Sequence, residues 1–256
     1  MTEMRRASMN KYAIIGGTGA ENLLSSAKWE DVLISTSYGD VLLKETDFEG
    51  ERLTLLLRHG EKHQYPPHLI NYRANILALR NHGVTDVFAA NAVGSLRIDL
   101  PPESLVLLSD FIDFTHGRPL DLGETVSRSH TDCSEPYSKE LRSILLETSA
   151  DTGAPLFPHT VYLCTNGPRY ESPAEVRLFG EWGADVVGMT GLPEAYLAKE
   201  ANMRYACVAV VTNYAAGLDT KPIRHEDVEK IMRRKSQEIF ELFLSAIRFA
   251  KNSPSK

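Results

Sequence analysis

The chain has 256 residues, 43% of them hydrophobic, and a formal net charge of -6. That length supports one sizeable core, read here as a single domain over residues 11–251, with residues 1–10 a disordered N-terminus and 252–256 a C-terminal tail. The acidic balance, without a Lys/Arg run, argues against a nucleic-acid partner, and no apolar run approaches membrane-spanning length. Cys133, Cys164 and Cys207 form neither a disulfide framework nor a zinc spacing, which suits a reducing cytoplasm.

Short apolar runs recur along the chain and read as strands. The first, Tyr12 to Ile15, leads into Gly16-Gly-Thr-Gly19. This glycine turn lacks the Gly-Lys-Ser/Thr ending of a P-loop and the third glycine of a dinucleotide fingerprint. It is either a bare turn or one that presents the Thr18 hydroxyl and successive N–H groups to an anion. A second run, Leu53 to Leu57, ends in Arg58-His-Gly60, a forked donor beside an imidazole able to donate a further bond. Histidine phosphatases also use Arg-His-Gly, but there the motif follows the first strand, whereas here a glycine turn and a long segment precede it. His59 and His63 have the spacing of a helical metal pair, yet Gly60 and Pro66-Pro67 oppose a helix, so no metal is expected.

A helix is expected over His68 to Asn81, with Leu69, Tyr72, Ile76 and Leu79 near a 3.6 period and Gly83 as its stop. Val84 to Ala90 reads as a buried strand, and Asn91-Ala-Val-Gly-Ser95 as the glycine-bearing turn that ends it. After a strand at Leu105 to Leu108, Phe114 to Tyr137 is polar and turn-rich, a stretch able to cover a site or reach a neighbouring subunit. Val161 to Cys164, Asp185 to Val187 and Tyr205 to Val211 complete the strands. Ser172-Pro-Ala-Glu175 has the pattern of a capped helix start, Pro193 opens a helix through Glu200, and His225 to Ala250 reads as a long amphipathic helix. The class is α/β. If the strands are largely parallel, their polar or glycine-rich ends converge on one crevice. No Gly-x-Ser-x-Gly elbow or catalytic cysteine motif occurs, so positioning and electrostatics carry the chemistry.

Six motifs occur in order: Gly-Gly-Thr-Gly, Arg-His-Gly, Asn71-Tyr-Arg-Ala-Asn75, Asn91-Ala-Val-Gly-Ser95, Gly167-Pro-Arg-Tyr170 and Gly183-Ala-Asp-Val-Val-Gly-Met-Thr190. Together they resemble the purine nucleoside phosphorylase and methylthioadenosine phosphorylase family over nearly the whole chain. Within it the chain looks most like the bacterial methylthioinosine phosphorylases, through Gly-Met-Thr-Gly-Leu-Pro-Glu194 and Asn213-Tyr-Ala-Ala-Gly217. The resemblance implies a single α/β domain around a mixed, partly barrel-like sheet flanked by helices. It also implies a homotrimer, with a homohexamer as the alternative, and no cofactor beyond inorganic phosphate as co-substrate.

The implied reaction is phosphorolysis: phosphate attacks C1′ of a nucleoside and the purine leaves. By the resemblance, Thr18, Arg58, His59, the Ala92 N–H and Thr190 bind phosphate, with Asn91 beside them. Met189 packs on the ribose, Tyr170 on base or sugar, and Val187 joins the substrate-facing set. His225 aligns with a residue that binds a 5′-hydroxyl, whereas methylthio-specific relatives tend to be apolar there. His130 matches a residue lent to a neighbouring subunit. His59 and Asn213 are the catalytic candidates.

Base choice turns on Asn213, Ala215 and Glu171. Asn213 and Ala215 stand where the adenine-specific branch carries acids, and an amide can accept from a purine N7–H while donating to a 6-oxo group. Glu171 stands where 6-oxopurine phosphorylases carry glutamate, an acceptor for the N1–H that adenine lacks; its alternative role is to cap the following helix. The expected substrate is a 6-oxopurine nucleoside, foremost 5′-methylthioinosine, in purine salvage. An adenine-type methylthioadenosine phosphorylase, an inosine/guanosine phosphorylase and a non-catalytic nucleoside-binding protein are the alternatives.

Overall fold

The computed structural model describes residues 11–25, 27–123, 130–220 and 222–252. The expected disordered N-terminus and residues 253–256 of the expected tail lie outside the described residues. Among the described residues nine strands form one mixed sheet: β1 Tyr12–Gly16, β2 Glu30–Thr36, β3 Gly39–Phe48, β4 Glu51–Leu57, β5 Asp86–Ser95, β6 Leu105–Asp113, β7 Leu156–Cys164, β8 Val186–Gly188 and β9 Arg204–Tyr214. Their order is β2-β3-β4-β1-β5-β8-β7-β6-β9, and β9 pairs back onto β5. Five strands therefore close into a ring, and the other four extend from β5 as an arm. Within this sheet β4, β1, β5 and β9 are mutually parallel neighbours, whereas β8 opposes β5 and β6 opposes β9.

Helices cover both faces: α1 Tyr72–Asn81, α2 Lys139–Thr152, α3 Pro173–Glu181, α4 Glu194–Glu200 and α5 His225–Asn252. The apolar stripe of α5, including Val228, Met232, Ile239, Phe243 and Ile247, packs with Ile14, Phe88 and Val208 in one core. Phe243 stacks on Phe88 with ring centroids 5.5 Å apart, and truncating so buried a ring to alanine costs about 3–5 kcal/mol. The opposite face is filled by α1 and α4, where Ile76, Leu77, Leu197 and Ala198 meet the other side of the same strands. Strands buried on both faces read as continuous apolar runs, which is why β1 and β9 were visible in the sequence.

Four expectations change. The Asn91–Ser95 segment is not a turn: β5 runs through Ser95, because β9 pairs alongside it as far as Tyr214 and β8 pairs Gly94 and Ser95. The register slips between Val93 and Gly94, a bulge at a glycine where a Cβ would stand 3.2 Å from the Asn213 amide nitrogen. The helix expected from His68 begins at Tyr72, capped by the Asn71 side chain, and Pro67–Leu69 form a separate 3₁₀ turn. Finally, α5 includes Asn252, so the helix enters the segment read as tail, and β2, β3 and α2 are elements the apolar runs did not announce.

Candidate active site

The ends of β1, β4, β5 and β9 open, with the loop after β8, onto a cavity of about 390 Å³. One part of its wall gathers the residues expected to bind phosphate. Gly17 lets the backbone after β1 approach Arg58: a Cβ there would stand 2.9 Å from Arg58 Nη1. Thr18, Ala92 and Thr190 complete this wall. The Tyr162 hydroxyl accepts from the Thr190 and Gly191 N–H groups at 3.2 and 3.1 Å, which fixes the turn carrying Thr190.

Arg58 lines the cavity, yet its fork is not turned toward it. Nε and Nη2 donate to Glu194 Oε2 and Oε1, each at 2.6 Å, and Nη1 donates to Ala90 O at 2.9 Å. Burial opposes the charge, but the Glu194 carboxylate outweighs it and holds the guanidinium protonated. A guanidinium has five N–H groups; three are spent in these bonds, so two remain for a ligand. The expected forked grip on phosphate is thus replaced by a grip on Glu194.

His59 is also constrained. Its Nδ1 lies 2.7 Å from Tyr65 O; a carbonyl can only accept, so Nδ1 carries the proton. Burial, together with nearby Arg58, His63 and His225, lowers its pKa to about 3 against the Tyr65 bond. The ring is therefore neutral with a lone pair on Nε2, an acceptor rather than the further donor expected from sequence. His63 stacks on it at 4.3 Å.

The other end carries Tyr170, Glu171, Val187, Met189, Asn213 and Ala215. Glu171 is half-buried and accepts from Thr165 Oγ1 at 2.8 Å. Burial raises its pKa, and the Thr165 bond opposes the rise. It does not cap α3: Ser172 and Glu175 form that capping box themselves. The Asn213 amide is oriented by its neighbours, since Nδ2 donates to Tyr214 O and Oδ1 accepts from Thr212 Oγ1, both at 2.9 Å. A third wall consists of His63, Pro66, Pro67, Ile223, His225 and Val228.

The matched family model is described as "Phosphorylase superfamily" and covers residues 11–248. The chain belongs to the phosphorylase superfamily. It is 43% identical over 246 residues to the 6-oxopurine nucleoside phosphorylase of Pyrococcus furiosus, covering 93% of this chain and 92% of that one. It is 42% identical over 235 residues to a probable S-methyl-5′-thioinosine phosphorylase of Thermodesulfovibrio yellowstonii, covering 90% and 87%. Among solved structures, the Schistosoma mansoni methylthioadenosine phosphorylase in complex with adenine superposes with a TM-score of 0.90 at 28% identity, over 96% of this chain and 93% of that one.

In this phosphorylase two candidates stand apart from the cavity. Asn91 is buried on the face of β5 opposite Ala92, its amide nitrogen against Gly191 and neither side-chain polar atom bonded, because successive side chains of a strand point to opposite faces. His130 is exposed and absent from the cavity wall of its own chain. Among the described residues no group of three or more His, Cys, Asp or Glu side chains could hold a metal ion, and no helix is long and apolar enough to cross a membrane.

Glu194, His63, Pro66, Pro67, Ile223 and Val228 join the wall or its support beyond the residues expected from sequence. Glu194 carried one signal: it is an acid opening a helix whose next turn, Ala195, Leu197 and Ala198, is apolar and buried. Pro66, Pro67 and Ile223 carried none: the first two cap and open the 3₁₀ turn, Ile223 is a loop residue, and only the fold brings them to one wall with His225 and Val228.

Proposed function

We propose that this phosphorylase cleaves the N-glycosidic bond of 6-oxopurine nucleosides with phosphate. The preferred substrate is 5′-methylthioinosine, and the products are hypoxanthine and 5-methylthioribose 1-phosphate. The enzyme is a pentosyltransferase of the purine nucleoside phosphorylase type. The observation that carries the substrate reading is Glu171, a half-buried carboxylate on the cavity wall with an oxygen left over after its bond to Thr165. A 6-oxopurine brings an N1–H to such an acceptor; a 6-aminopurine brings a lone pair.

In this reading phosphate rests among Thr18, the Ala92 N–H, Thr190 and the two remaining Arg58 N–H groups. One phosphate oxygen forms a bond to C1′ as the bond from C1′ to the purine N9 breaks, and the bonding pair leaves with the base. The transition state has oxocarbenium character, so holding the nucleophile beneath C1′ and stabilising the departing base supply the catalysis. Neutral His59 accepts the hydroxyl of monoprotonated phosphate through Nε2. The departing base takes up at N7, by way of solvent, the one proton that monoprotonated phosphate gives up in becoming the sugar phosphate; Asn213 Oδ1 accepts a hydrogen bond from that N7–H, and its remaining amide hydrogen meets the 6-oxo group. Met189 and Tyr170 pack against sugar and base.

In the cell the enzyme acts in the cytoplasm, in purine salvage, as a homotrimer. Phe114 and Trp182, 44% and 47% exposed, extend an aromatic cluster with Phe179 that a second copy can cover, and His130 is then available to a neighbour's site. Sedimentation gives the assembly directly. The substrate is tested by phosphorolysis of inosine, guanosine, adenosine, methylthioinosine and methylthioadenosine. Preference for a 6-amino base overturns the base assignment, and binding without phosphate-dependent turnover overturns the reaction.

A further inference from the structure

Thr165 follows the end of β7 and does not line the main cavity. It lies on the wall of an adjoining recess of about 120 Å³ that shares Glu171 with it. From there its hydroxyl donates to Glu171 Oε1 at 2.8 Å. The backbone that delivers this hydroxyl is pinned: Thr165 N donates to Gly188 O at 2.9 Å. Buried Arg118 donates through Nη2 to Asn166 O at 3.1 Å and Met189 O at 2.8 Å, and through Nη1 to Leu192 O. Glu171 is thus gripped on the side away from the main cavity by a group with little freedom to follow it.

We propose that Thr165 is a positioning residue that sets base choice, holding Glu171 as an ionised acceptor with its second oxygen free for the base. The inference rests on the 6-oxopurine reading above. An ionised carboxylate only accepts; protonated, it gains a donor that matches the N1 lone pair of a 6-aminopurine. The protonation state of Glu171 therefore decides which base it favours. Burial presses it toward the neutral form; the Thr165 bond, and after it a bond from the backbone N–H of Glu171 itself, press the other way.

Other titratable and charged groups around Glu171 are paired with each other or line the same two walls. Arg169 favours its ionised form and Glu175 opposes it, but these two pair with each other at 2.7 and 2.8 Å. Tyr170 shares the main cavity wall and His116 the wall of the recess; Arg58, His59, His63 and His225 also line the main cavity. The Thr165 hydroxyl is the side-chain bond that Glu171 receives among the described residues.

The test compares kcat/KM for methylthioinosine and methylthioadenosine across the acidic and neutral range. In the parent enzyme the oxo-to-amino ratio falls as pH falls through the Glu171 titration. Thr165→Val is expected to lower the ratio at neutral pH about tenfold and to move its midpoint up by about one pH unit, the size of one lost bond to a charged group. Thr165→Ser restores both, and Glu171→Gln gives a low ratio that does not titrate. A packing defect would lower both substrates together and leave the midpoint in place. A Thr165→Val enzyme with the parent's ratio and midpoint overturns this inference alone, as does a serine variant that behaves like valine. A parent without 6-oxo preference overturns the substrate reading and this inference together.

Discussion

Arg58 and Glu194 meet fork to fork in the core, with Nε–Oε2 and Nη2–Oε1 both 2.6 Å and side chains 0% and 1% exposed. Tyr205 donates to the same carboxylate at 2.7 Å. Removing one member leaves the other buried and charged, which costs about 3–5 kcal/mol, whereas replacing both by apolar residues is far milder. Arg58→Met should lose that much stability in urea unfolding and raise the phosphate KM at least about tenfold, since a bare carboxylate then repels the anion. Adding Glu194→Leu should recover most of the stability without restoring phosphate affinity. A single variant as stable as the parent would remove the pair from the stability argument. An unaltered phosphate KM would remove Arg58 from the site.

His59 gives stability a pH dependence of known sign. Burial lowers its folded pKa to about 3, while the unfolded value is about 6.5. Below the unfolded value the open chain takes up a proton that the folded chain refuses. Its contribution is therefore complete above about pH 6.5 and is lost as pH falls toward 3, at up to about 1.4 kcal/mol per pH unit. His63, lowered by its own burial, acts in the same direction. His59→Asn should flatten the fall of unfolding free energy across this window. Parallel curves for variant and parent would show that His59 is not held neutral.

In the proposed reaction Asn213 is the lever for the leaving base. Its amide is fixed by Tyr214 O and Thr212 Oγ1, so it offers the ligand one acceptor lone pair and one N–H. Asn213→Asp removes the N–H that a 6-oxo group accepts and supplies a second acceptor for a 6-amino group. The kcat/KM ratio of methylthioadenosine to methylthioinosine should rise by about 10- to 100-fold. An unchanged ratio would refute the contact.

How much of this was legible follows from where each signal sits. β1 and β9 showed as apolar runs because both of their faces are covered, and α3 was announced by a capping box whose two bonds both form. By contrast β2 alternates between half-buried and exposed positions in an arm off the ring, and its pairing with β3 is what keeps it extended. The buried face of α2 contains Thr148 and Ser149, whose hydroxyls return to the carbonyls of Ile144 and Leu146, so its apolar period is muted. Among site residues, the motifs named Arg58 but not its partner. Glu194 lies 136 residues away, and nothing in either local sequence says that the fork closes inward. The same holds for His59, whose role as an acceptor depends on the Tyr65 carbonyl. Asn91 was misplaced because a turn was assumed where the sheet continues.

In the proposed substrate complex the third wall of the cavity faces the 5′ group. Val228 and Ile223 present apolar surface beside Pro66 and Pro67, while His225, at the start of α5, has a side chain 60% exposed and 3.3 Å from Glu229. A methylthio group gains by removing its surface from water, about 0.8 kcal/mol per methylene-sized unit, whereas a hydroxyl needs a polar partner. The two substrates should therefore lean on different residues of one wall. Val228→Asn is expected to lower kcat/KM for methylthioinosine about tenfold and to leave inosine within about threefold. Because Val228 also packs in the α5 core, the ratio between substrates rather than either rate is the readout. His225→Leu should act in reverse, lowering inosine while sparing methylthioinosine. If both substitutions reduce both substrates equally, this wall does not face the 5′ end, and the preference for methylthioinosine loses its structural support.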